Sequence, residues 1–366
     1  MNQYDIFMNR LFAKAEGEGI PLVGTFELTS RCTLNCKMCY IHRSQNCEEV
    51  KAKEKDSEWW LQLAREARAS GMLMLLLTGG EPLLREDFKD IYLGCREMGL
   101  LMSINTNGTL VDKDMVEFFK TYPPQRLNVT LYGTSPETYQ KLCGNGDAYY
   151  KAMNAITSLK EAGVNVRINY TITPLNEKDT AGAQALGESL GVAVRIVSYM
   201  FAPVRACGGE AFRLSECEAA RAEFDWRQRS LGDSFQRYAE AVVEGKILQK
   251  AEDVGDDCGE RINCRAGSTT FWVTWDGEMR PCGMMTVPTV AVNGFDDAWQ
   301  EIRKARENII LPPECTNCSM RSYCDMCAAV SFAETGRFDG VPGYACKKAK
   351  ELRRLCKGYI NHFENL

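Results

Sequence analysis

Six apolar segments of strand length recur along roughly the first 200 residues, and helix-periodic segments separate them. The predicted strands are residues 22–28, 72–77, 101–105, 126–131, 164–172 and 192–198. Strands that alternate with helices indicate parallel pairing, because a helix returns the chain to the same end of the sheet. We therefore predict an α/β fold, a partial (β/α)6 barrel. The periodicity alone also allows a doubly wound sheet.

The segments between these strands place apolar residues at helical spacing. One helix is predicted to begin with Ser57 as its N-cap, to bury Trp60 and Leu63, and to stop at Gly71. Cys95 lies on the apolar face of the next helix, which predicts a thiol in the core rather than a metal ligand. Further helices of this region are predicted at residues 4–15, 115–119, 148–162 and 179–190.

After the sixth strand the chain becomes polar and helical, and then rich in cysteine. Helices are predicted at residues 216–229 and 235–250, and a β-hairpin with strands at 271–275 and 278–281. The predicted division is an N-terminal segment (1–20), a barrel domain (21–200), a helical bridge (201–257) and a small cysteine-rich domain (258–366).

Composition excludes several classes of protein. The chain has 366 residues, of which 45% are hydrophobic and 25% charged, as in ordinary globular proteins. A net charge of -5 offers no basic field for nucleic acid. No apolar run is long enough to span a membrane and residues 1–20 are too polar for a signal peptide, so we expect a cytoplasmic protein. In that compartment, 17 cysteines favour metal ligation over disulfides.

Three cysteines follow the first predicted strand with the spacing C-x3-C-x2-C. They are Cys32, Cys36 and Cys39, and Tyr40 comes directly afterwards. Thiolates are the natural ligands of 4Fe-4S clusters, and three of them leave one iron without a protein ligand, open to a reactant. A structural zinc site needs four ligands, usually in two pairs, and three cysteines cannot pair internally. The loop therefore predicts a catalytic iron-sulfur cluster.

Eight more cysteines lie in the segment from residue 258 to residue 346. They are Cys258, Cys264, Cys282, Cys315, Cys318, Cys324, Cys327 and Cys346. Eight thiols can ligate two 4Fe-4S clusters, but two all-cysteine zinc sites need the same number, and the spacing alone leaves both open. The cysteines left unassigned are Cys47, Cys95, Cys143, Cys207, Cys217 and Cys356, and we expect Cys207 and Cys217 to be free thiols.

The loop at Cys32 resembles the signature of radical S-adenosylmethionine (SAM) enzymes, which is C-x3-C-x2-C next to an aromatic residue. This resemblance implies that SAM chelates the open iron through its amino and carboxylate groups. It also implies that Gly79-Gly80-Glu81-Pro82 approaches the methionine moiety, with Glu81 at the ammonium group. The other residues implied at the SAM site are Tyr40, Asn105, Asn107 and Thr130; for Asn107, a simple Asn-Gly turn is an equally good interpretation.

One position departs from the family pattern. Relatives commonly carry an Arg in the segment before a Gly-x-Gly, whereas this chain has Cys143 before Gly144-Asn145-Gly146. The resemblance therefore does not imply the contact that this Arg makes in relatives. Cys143 is interpreted either as a loop thiol or as a residue on the substrate side.

The C-terminal cysteines are similar to the SPASM extension of radical SAM enzymes, which holds two auxiliary 4Fe-4S clusters. The resemblance implies that Cys258, Cys264, Cys282 and Cys327 ligate one cluster, and that Cys315, Cys318, Cys324 and Cys346 ligate the other. The spacing between Cys324 and Cys327 is one residue shorter than is usual in this extension.

Relatives with this extension mostly modify ribosomally made peptides, installing thioether or carbon-carbon links. The resemblance implies reductive cleavage of SAM to a 5'-deoxyadenosyl radical, hydrogen abstraction from a peptide residue, and net oxidation with the auxiliary clusters accepting the electron. It implies an electron donor such as flavodoxin or ferredoxin. Because few residues precede Cys32, we expect either a separate leader-binding protein or recognition at the barrel mouth.

Two other functions remain open. Sulfatase-maturing relatives carry an Asp base directly after the cysteine that matches Cys282, but this chain has Gly283. Asp276, Glu278 and Asp325 are the acidic residues that could serve instead, although each is also typical of a solvated turn. A protein of another class, a non-catalytic iron-sulfur or zinc-binding protein, would make no use of Glu81.

Overall fold

The computed structural model describes residues 3–202, 204–205, 212–246 and 264–363. The predicted free thiol Cys207 and the predicted cluster ligand Cys258 lie outside the described residues, as does part of the predicted bridge.

Nine of the strands in the described residues form one sheet, and two short ones form a separate parallel pair. The strands are β1 (Val23–Glu27), β2 (Arg31–Cys32), β3 (Arg43–Ser44), β4 (Met74–Thr78), β5 (Leu101–Thr106), β6 (Arg126–Thr130), β7 (Val166–Thr171), β8 (Ala193–Val197), β9 (Thr270–Val273), β10 (Glu278–Arg280) and β11 (Val290–Ala291). The large sheet has the order β11-β10-β9-β1-β4-β5-β6-β7-β8, and β2 pairs with β3.

The six predicted strands of the barrel are confirmed as β1 and β4 to β8. They pair in parallel and follow one another in chain order without a reversal. A doubly wound sheet would reverse its order at a switch point, so the topology is that of a partial (β/α)6 barrel. The carboxyl ends of all six strands therefore lie at one edge.

Fourteen α-helices cover this sheet and build the C-terminal region in the described part of the chain. They are α1 (Gln3–Glu18), α2 (Glu48–Lys51), α3 (Ser57–Ala69), α4 (Phe88–Glu97), α5 (Lys113–Thr121), α6 (Pro136–Cys143), α7 (Ala148–Glu161), α8 (Thr180–Leu190), α9 (Glu216–Leu231), α10 (Phe235–Glu244), α11 (Phe295–Glu307), α12 (Pro313–Thr316), α13 (Ala328–Thr335) and α14 (Gly343–Phe363). None of these helices is both long and apolar enough to cross a membrane.

Two predicted helix boundaries were wrong. Asp56 rather than Ser57 is the N-cap of α3, because the Asp56 carboxylate accepts a hydrogen bond of 2.8 Å from the Trp59 N–H. Helix α10 ends at Glu244 and does not reach residue 250. Gly245 takes a left-handed conformation there, with φ of 71°, and its N–H bonds to the Ala241 carbonyl.

The predicted hairpin is confirmed as β9 and β10, and it extends the barrel sheet. Strand β9 pairs in parallel with β1, on the side opposite β4. Phe271 of β9 packs against Phe26 of β1, with ring centroids 6.5 Å apart, and against Trp299 of α11 at 6.0 Å. The cysteine-rich region and the barrel thus share one hydrophobic core.

A second hydrophobic core lies among α9, α10 and α14. Phe224, Phe235 and Leu352 are buried in it, and burial of each such side chain contributes about 1.5–3 kcal/mol. This core joins the helices after the barrel to the last helix of the described chain.

Candidate active site

The predicted cluster loop lies at the carboxyl end of β1, where it forms one wall of a cavity of about 420 Å³. Cys32, Cys36 and Cys39 all line this cavity. The facing wall consists of the last inward-pointing side chains of five successive strands, which are Thr78, Asn105, Thr130, Thr171 and Val197. Sites of this volume hold small molecules, and this position is where barrel enzymes place their chemistry.

A buried ion-pair network holds the start of the cluster loop. Arg31 makes two hydrogen bonds to Glu54, at 2.8 and 2.9 Å, and the two side chains are only 10% and 7% exposed. Arg85 lies 3.7 Å from Glu54 and donates to the Leu28 carbonyl at 3.0 Å. The network fixes the backbone on both sides of the strand end. Sequence reasoning missed it, and the only signal was an Arg directly before Cys32.

The Gly79-Gly80 pair packs against the backbone that leads into this loop. Gly80 N–H donates to the Thr29 carbonyl at 2.6 Å, and Glu81 N–H donates to the Arg31 carbonyl at 2.9 Å. A Cβ on Gly79 would lie 2.5 Å from the Thr29 oxygen, and one on Gly80 would lie 2.3 Å from the Arg31 oxygen. Both glycines also line the cavity. Their absence of side chains thus serves the loop as well as the predicted approach to SAM.

Glu81 is fully buried behind the cavity wall. Its carboxylate accepts hydrogen bonds from the Thr106 hydroxyl (2.8 Å), the Asn107 N–H (2.8 Å) and the Leu83 N–H (3.1 Å). Burial raises the pKa of Glu81 to about 7, although these hydrogen bonds oppose the shift. Neither Glu81 nor the buried Pro82 is among the residues lining the cavity. The contact of Glu81 with SAM therefore stays a prediction.

Asn105 and Asn107 follow each other at the end of β5 and reach different partners. The side-chain oxygen of Asn105 accepts a hydrogen bond of 2.8 Å from the side-chain amide of Asn128. The Asn107 amide donates to the Cys32 sulfur at 3.4 Å and to the Thr33 hydroxyl at 3.1 Å. Asn107 thus ties the strand end to the first cysteine, a role that the sequence did not indicate. Both residues line the cavity, and their contact with SAM stays a prediction.

Another buried carboxylate, that of Glu27, lies behind the cavity wall and binds Arg205, which lines the cavity. Arg205 donates two hydrogen bonds to Glu27, at 2.8 and 2.9 Å, and the Trp272 indole donates a third at 2.9 Å. Burial raises the pKa of Glu27, and Arg205 opposes the shift. Arg205 also lies over the Tyr40 ring at 5.4 Å and donates to the Gly283 carbonyl at 2.9 Å. The network connects the cluster loop to the residue after Cys282, and its only sequence signal was an acidic residue ending an apolar strand.

The C-terminal cysteines form two electrostatic groups. Burial raises the pKa of Cys282 to about 11, and Cys327 and Cys264 raise it further. Burial likewise raises the pKa of Cys324 to about 11, with contributions from Cys315 and Cys346. Cys318 and Cys346 both raise the pKa of Cys315. This grouping matches the two predicted ligand sets within the described residues, and the ligand assignment itself stays a prediction.

The cysteine sulfurs are suitable ligands for iron-sulfur clusters, but those of the described residues do not converge on one point. The described part of the chain runs from 3 to 363 without 203, 206–211 and 247–263. In this part, no three Cys, His, Asp or Glu side chains are arranged to hold a metal ion. Burial raises the pKa of Cys32 to about 12, so its thiol keeps its proton near pH 7. Cluster ligands are thiolates, so binding of a cluster here would release this proton.

Four unassigned cysteines and the three candidate bases lie outside the cavity. Cys95 lies in the core, as predicted, and Cys356 is also fully buried. Cys47 precedes α2, and Cys217 is exposed on α9. The three candidate bases each bind a neighbour instead of lining the cavity: Asp276 accepts from the Thr274 hydroxyl, Glu278 pairs with Arg280, and Asp325 pairs with Lys348.

Cys143 is neither a loop thiol nor a cavity residue, and both interpretations were wrong. It is the last residue of α6, is 1% exposed, and its carbonyl accepts a hydrogen bond of 3.0 Å from the N–H of Asn35 in the cluster loop. The cavity is lined by other residues. Gly144, with φ of 73°, ends α6 directly after Cys143.

Comparison with known proteins gives a consistent family relationship. The model of the radical SAM superfamily matches residues 26–184. The chain is 26% identical over 333 residues to an AdoMet-dependent heme synthase of Methanosarcina barkeri, covering 87% of this chain and 94% of that protein. It is 31% identical over 167 residues to a probable GTP 3',8-cyclase of Saccharolobus solfataricus, covering 45% of this chain and 52% of that protein.

Two solved structures share the fold over almost the whole chain. SuiB of Streptococcus suis bound to the precursor peptide SuiA matches with a TM-score of 0.68 at 17% identity, covering 94% of this chain and 81% of SuiB. The protein anSMEcpe with bound AdoMet matches with a TM-score of 0.67 at 16% identity, covering 94% of this chain and 95% of anSMEcpe. At this level of identity the likeness concerns the fold alone.

Proposed function

Residues 26–184 form a radical SAM domain, and on that basis we propose that this protein is a radical SAM oxidoreductase that modifies a peptide residue. Such a domain implies a 4Fe-4S cluster and bound SAM. The proposal adds two auxiliary clusters in the C-terminal region, a cytoplasmic location, and flavodoxin or ferredoxin as electron donor. In this proposal, the leader part of the precursor peptide is bound either by a separate protein or at the barrel mouth.

One observation carries the proposal: the cavity adjoins both cysteine-rich regions. Cys32, Cys36 and Cys39 line one side, and Met284, two residues after Cys282, lines another. Arg205 bonds the Gly283 carbonyl and also lies over Tyr40. A substrate in this cavity would lie between the site that starts the reaction and a site that can accept an electron.

The residues on the cavity wall suit this chemistry. When cluster and SAM are bound, they supply a 5'-deoxyadenosyl radical that removes a hydrogen atom from the substrate. Asn105, Asn107 and Thr130 present polar groups that can hold the sugar and methionine portions of SAM. Tyr132 and Tyr199 add ring faces that exclude water around the reacting bond.

A peptide substrate is favoured over a sulfatase. The fold neighbour SuiB has been solved with a precursor peptide, which supports peptide modification. Sulfatase maturation would use an acidic side chain at position 283. A Cβ on Gly283 would lie 2.9 Å from the Trp272 ring, and Trp272 is held in place by Glu27. An aspartate therefore has no room at this position.

A second candidate substrate is a carboxylate-bearing tetrapyrrole. Lys37 and Arg205 are the cationic residues among the described residues that line the cavity, and no acidic residue is among them. Because Arg205 is paired with Glu27, Lys37 supplies the positive charge that favours an anionic group. The heme synthase of Methanosarcina barkeri aligns over 94% of its length, which supports this alternative.

The first test is anaerobic reconstitution with iron and sulfide counts, followed by dithionite, SAM and an assay for 5'-deoxyadenosine. Three clusters predict about 12 iron atoms per chain, against about 4 if the C-terminal cysteines bind zinc. Deoxyadenosine formation supports the radical chemistry. Bound zinc with little sulfide and no deoxyadenosine would leave a non-catalytic metal protein.

Two cysteine variants separate the proposed roles. Cys36→Ala should abolish deoxyadenosine formation, because SAM then has no complete cluster to chelate. Cys282→Ala should keep uncoupled SAM cleavage while product is lost. Cys95→Ala, which removes a buried core thiol, is the control for folding. Equal loss of SAM cleavage in the Cys36 and Cys282 variants, at matched folded fractions, would contradict this division.

The substrate classes are then compared with the reconstituted protein. Peptides encoded beside the gene and an iron tetrapyrrole bearing propionates are incubated with SAM and reductant. Mass spectrometry should show hydrogen loss or a new crosslink in the peptide. Change in the tetrapyrrole alone would favour the second candidate.

A further inference from the structure

The inner face of the barrel sheet is polar below the cavity. Thr130, Thr171 and Val197 line the cavity at the ends of β6, β7 and β8. Alternate residues of a strand point to the same face, so the residues two and four positions earlier also face inward. These residues are Asn128, Asn169 and Arg195, and then Arg126, Arg167 and Ala193. Closed barrels fill such levels with branched apolar side chains, which are missing from this half of the face.

Three of these residues, Arg126, Arg167 and Arg195, form what we call the arginine triad. They lie on three adjacent strands. Arg167 is paired with Asn128 on one side and with Ala193 on the other, so the other two arginines are its diagonal neighbours. Burial lowers the pKa of Arg167, and the charges of Arg126 and Arg195 lower it further. The three guanidinium groups therefore repel one another.

The charge of the triad is not balanced by the described residues. Arg126 and Arg195 are exposed, and neither side chain makes a hydrogen bond or an ion pair in this part of the chain. Arg167 donates to the Asn128 side chain at 2.9 Å. Glu27 is the acidic residue of the six barrel strands, and it already has a cationic partner. A bound anion would therefore relieve the repulsion within the triad.

A buried oxygen next to the triad needs a hydrogen-bond donor. The side-chain oxygen of Asn169 is buried and has no hydrogen-bond partner among the described residues. Asn169 is paired with Arg195 across β7 and β8, and it faces the same side as Arg167. Leaving such an oxygen without a donor costs free energy. A ligand that carries both N–H donors and carboxylates, as an acidic peptide does, would satisfy the oxygen and the arginines together.

The triad is connected to the cavity by side-chain hydrogen bonds. Asn105 lines the cavity and accepts from Asn128 at 2.8 Å, and Asn128 accepts from Arg167 at 2.9 Å. On the neighbouring strands the same face is apolar, with Met74 partly exposed and Leu101 43% exposed. A chain bound to the triad can therefore extend into the cavity, with one side on polar groups and the other on apolar groups.

We propose that the arginine triad binds an acidic segment of the peptide substrate, while the residue to be modified lies in the cavity above it. The proposal rests on the proposed function in taking a peptide as the substrate. It adds the class of peptide, one that carries Asp or Glu side chains close to the modified residue. The carboxylates bind the guanidinium groups, and a backbone N–H of the segment donates to Asn169.

The test is a titration of a labelled peptide with the reconstituted protein and SAM, without reductant, followed by fluorescence anisotropy. One probe has glutamates at alternate positions, which lie on one side of an extended peptide, and the other has glutamines there. The glutamate probe should bind more tightly, and its affinity should fall with ionic strength. Combining Arg126→Gln, Arg167→Gln and Arg195→Gln should weaken its binding by about tenfold and leave the glutamine probe unaffected.

A control variant removes the same charge elsewhere. It combines Arg10→Gln, Arg68→Gln and Arg237→Gln, which alter exposed arginines on α1, α3 and α10, and it should bind both probes like the wild type. If the triad variant does not fold, Arg126→Gln combined with Arg195→Gln breaks no hydrogen bond of the described residues. This double variant should still weaken binding of the glutamate probe.

Two results would overturn the proposal. The first is equal affinity of the wild type for the two peptides, or equal binding of the glutamate probe by the triad and control variants. The second is triad-dependent binding of a tetrapyrrole bearing several carboxylates, read from its absorption band, without binding of the glutamate probe. That result would favour the second candidate substrate. Deoxyadenosine is measured on the same preparations, and its absence from the wild type would contradict the proposed function separately from the role of the triad.

Discussion

Glu81 shows how a single residue of a short motif can serve the scaffold as well as the reaction. Its carboxyl group is fully buried and binds Thr106, Asn107 and Leu83. Asn107 in turn bonds the Cys32 sulfur. Glu81 therefore acts on the cluster loop through Asn107, and its buried position makes its protonation state part of the stability of the site.

The pKa of about 7 for Glu81 predicts a pH-dependent stability. In the unfolded chain this group ionises near its usual value of 4.5, while the folded protein keeps the proton up to about pH 7. The contribution of Glu81 to the free energy of unfolding is therefore complete below pH 4.5, and it is lost as the pH rises through 7. The loss should be about 3 kcal/mol, since one pKa unit corresponds to about 1.4 kcal/mol.

This prediction is checked on metal-free, reduced protein by urea unfolding between pH 4.5 and pH 8. The wild type should lose stability relative to Glu81→Gln across this range, because glutamine does not titrate. Glu27 and the other acidic residues are present in both proteins, so their effects on the pH dependence of stability cancel in the comparison. Parallel pH profiles for the two proteins would contradict a raised pKa at Glu81.

At the scale of elements, the site is formed where β1, the cluster loop, the Gly79-Gly80 turn and α6 meet. The turn holds the loop through backbone hydrogen bonds on one side, and the end of α6 holds it on the other. The Arg31 and Glu54 pair holds its start. The loop carries the three predicted ligands, and it is anchored by elements that are themselves packed in the barrel core.

Gly80→Ala should displace the loop, because its Cβ would meet the Arg31 carbonyl oxygen at 2.3 Å and backbone cannot move aside cheaply. We expect loss of the SAM-binding cluster, from about 12 to about 8 iron atoms per chain, and loss of deoxyadenosine formation. Gly358→Ala in α14 is the control, since nothing lies within 4 Å of its Cβ.

The control should even stabilise the protein, by about 0.5–1 kcal/mol, because alanine is favoured over glycine within a helix. Iron content and deoxyadenosine formation should stay at the wild-type level in Gly358→Ala. Full iron loading in Gly80→Ala would show that the turn does not hold the loop.

At the scale of the whole molecule, the C-terminal region is joined to the barrel in two ways. Strand β9 continues the barrel sheet beside β1. Farther along, Lys348 of α14 is buried and pairs with Glu223 of α9 and with Asp325, at 2.6 Å from the latter. Glu223 also accepts from Ser198, directly after β8, at 3.2 Å. The ammonium group of Lys348 thus connects the last described helix, the loop that carries Asp325 and, through Glu223, the end of the barrel.

Lys348→Met should destabilise the protein by about 3 kcal/mol, because it leaves the carboxylates of Glu223 and Asp325 without their cation. Lys350→Met, on the exposed side of the same helix, is the control and should change stability by less than about 0.5 kcal/mol. Chemical denaturation of the metal-free proteins measures both. Equal stability of the two variants would show that the buried pairs contribute nothing net.

The sequence by itself determined the local features of this protein. Periodicity predicted the six barrel strands, the hairpin of β9 and β10, and the burial of Cys95, because each depends on which way neighbouring side chains point. Cysteine spacing predicted the cluster loop for a similar reason, since its three thiols lie within eight residues. Helix ends were less well determined: Asp56 competes with Ser57 as a cap, and only the fold selects one.

The tertiary structure decided which distant residues meet. Glu27 and Arg205 are 178 positions apart, and the barrel brings them together beneath Tyr40. The pairing of β9 with β1 and the hydrogen bond from the Asn35 N–H to the Cys143 carbonyl cannot be seen in the sequence either. A periodic pattern fixes the face on which a side chain lies, but its partner across that face is chosen by the packing of the whole core.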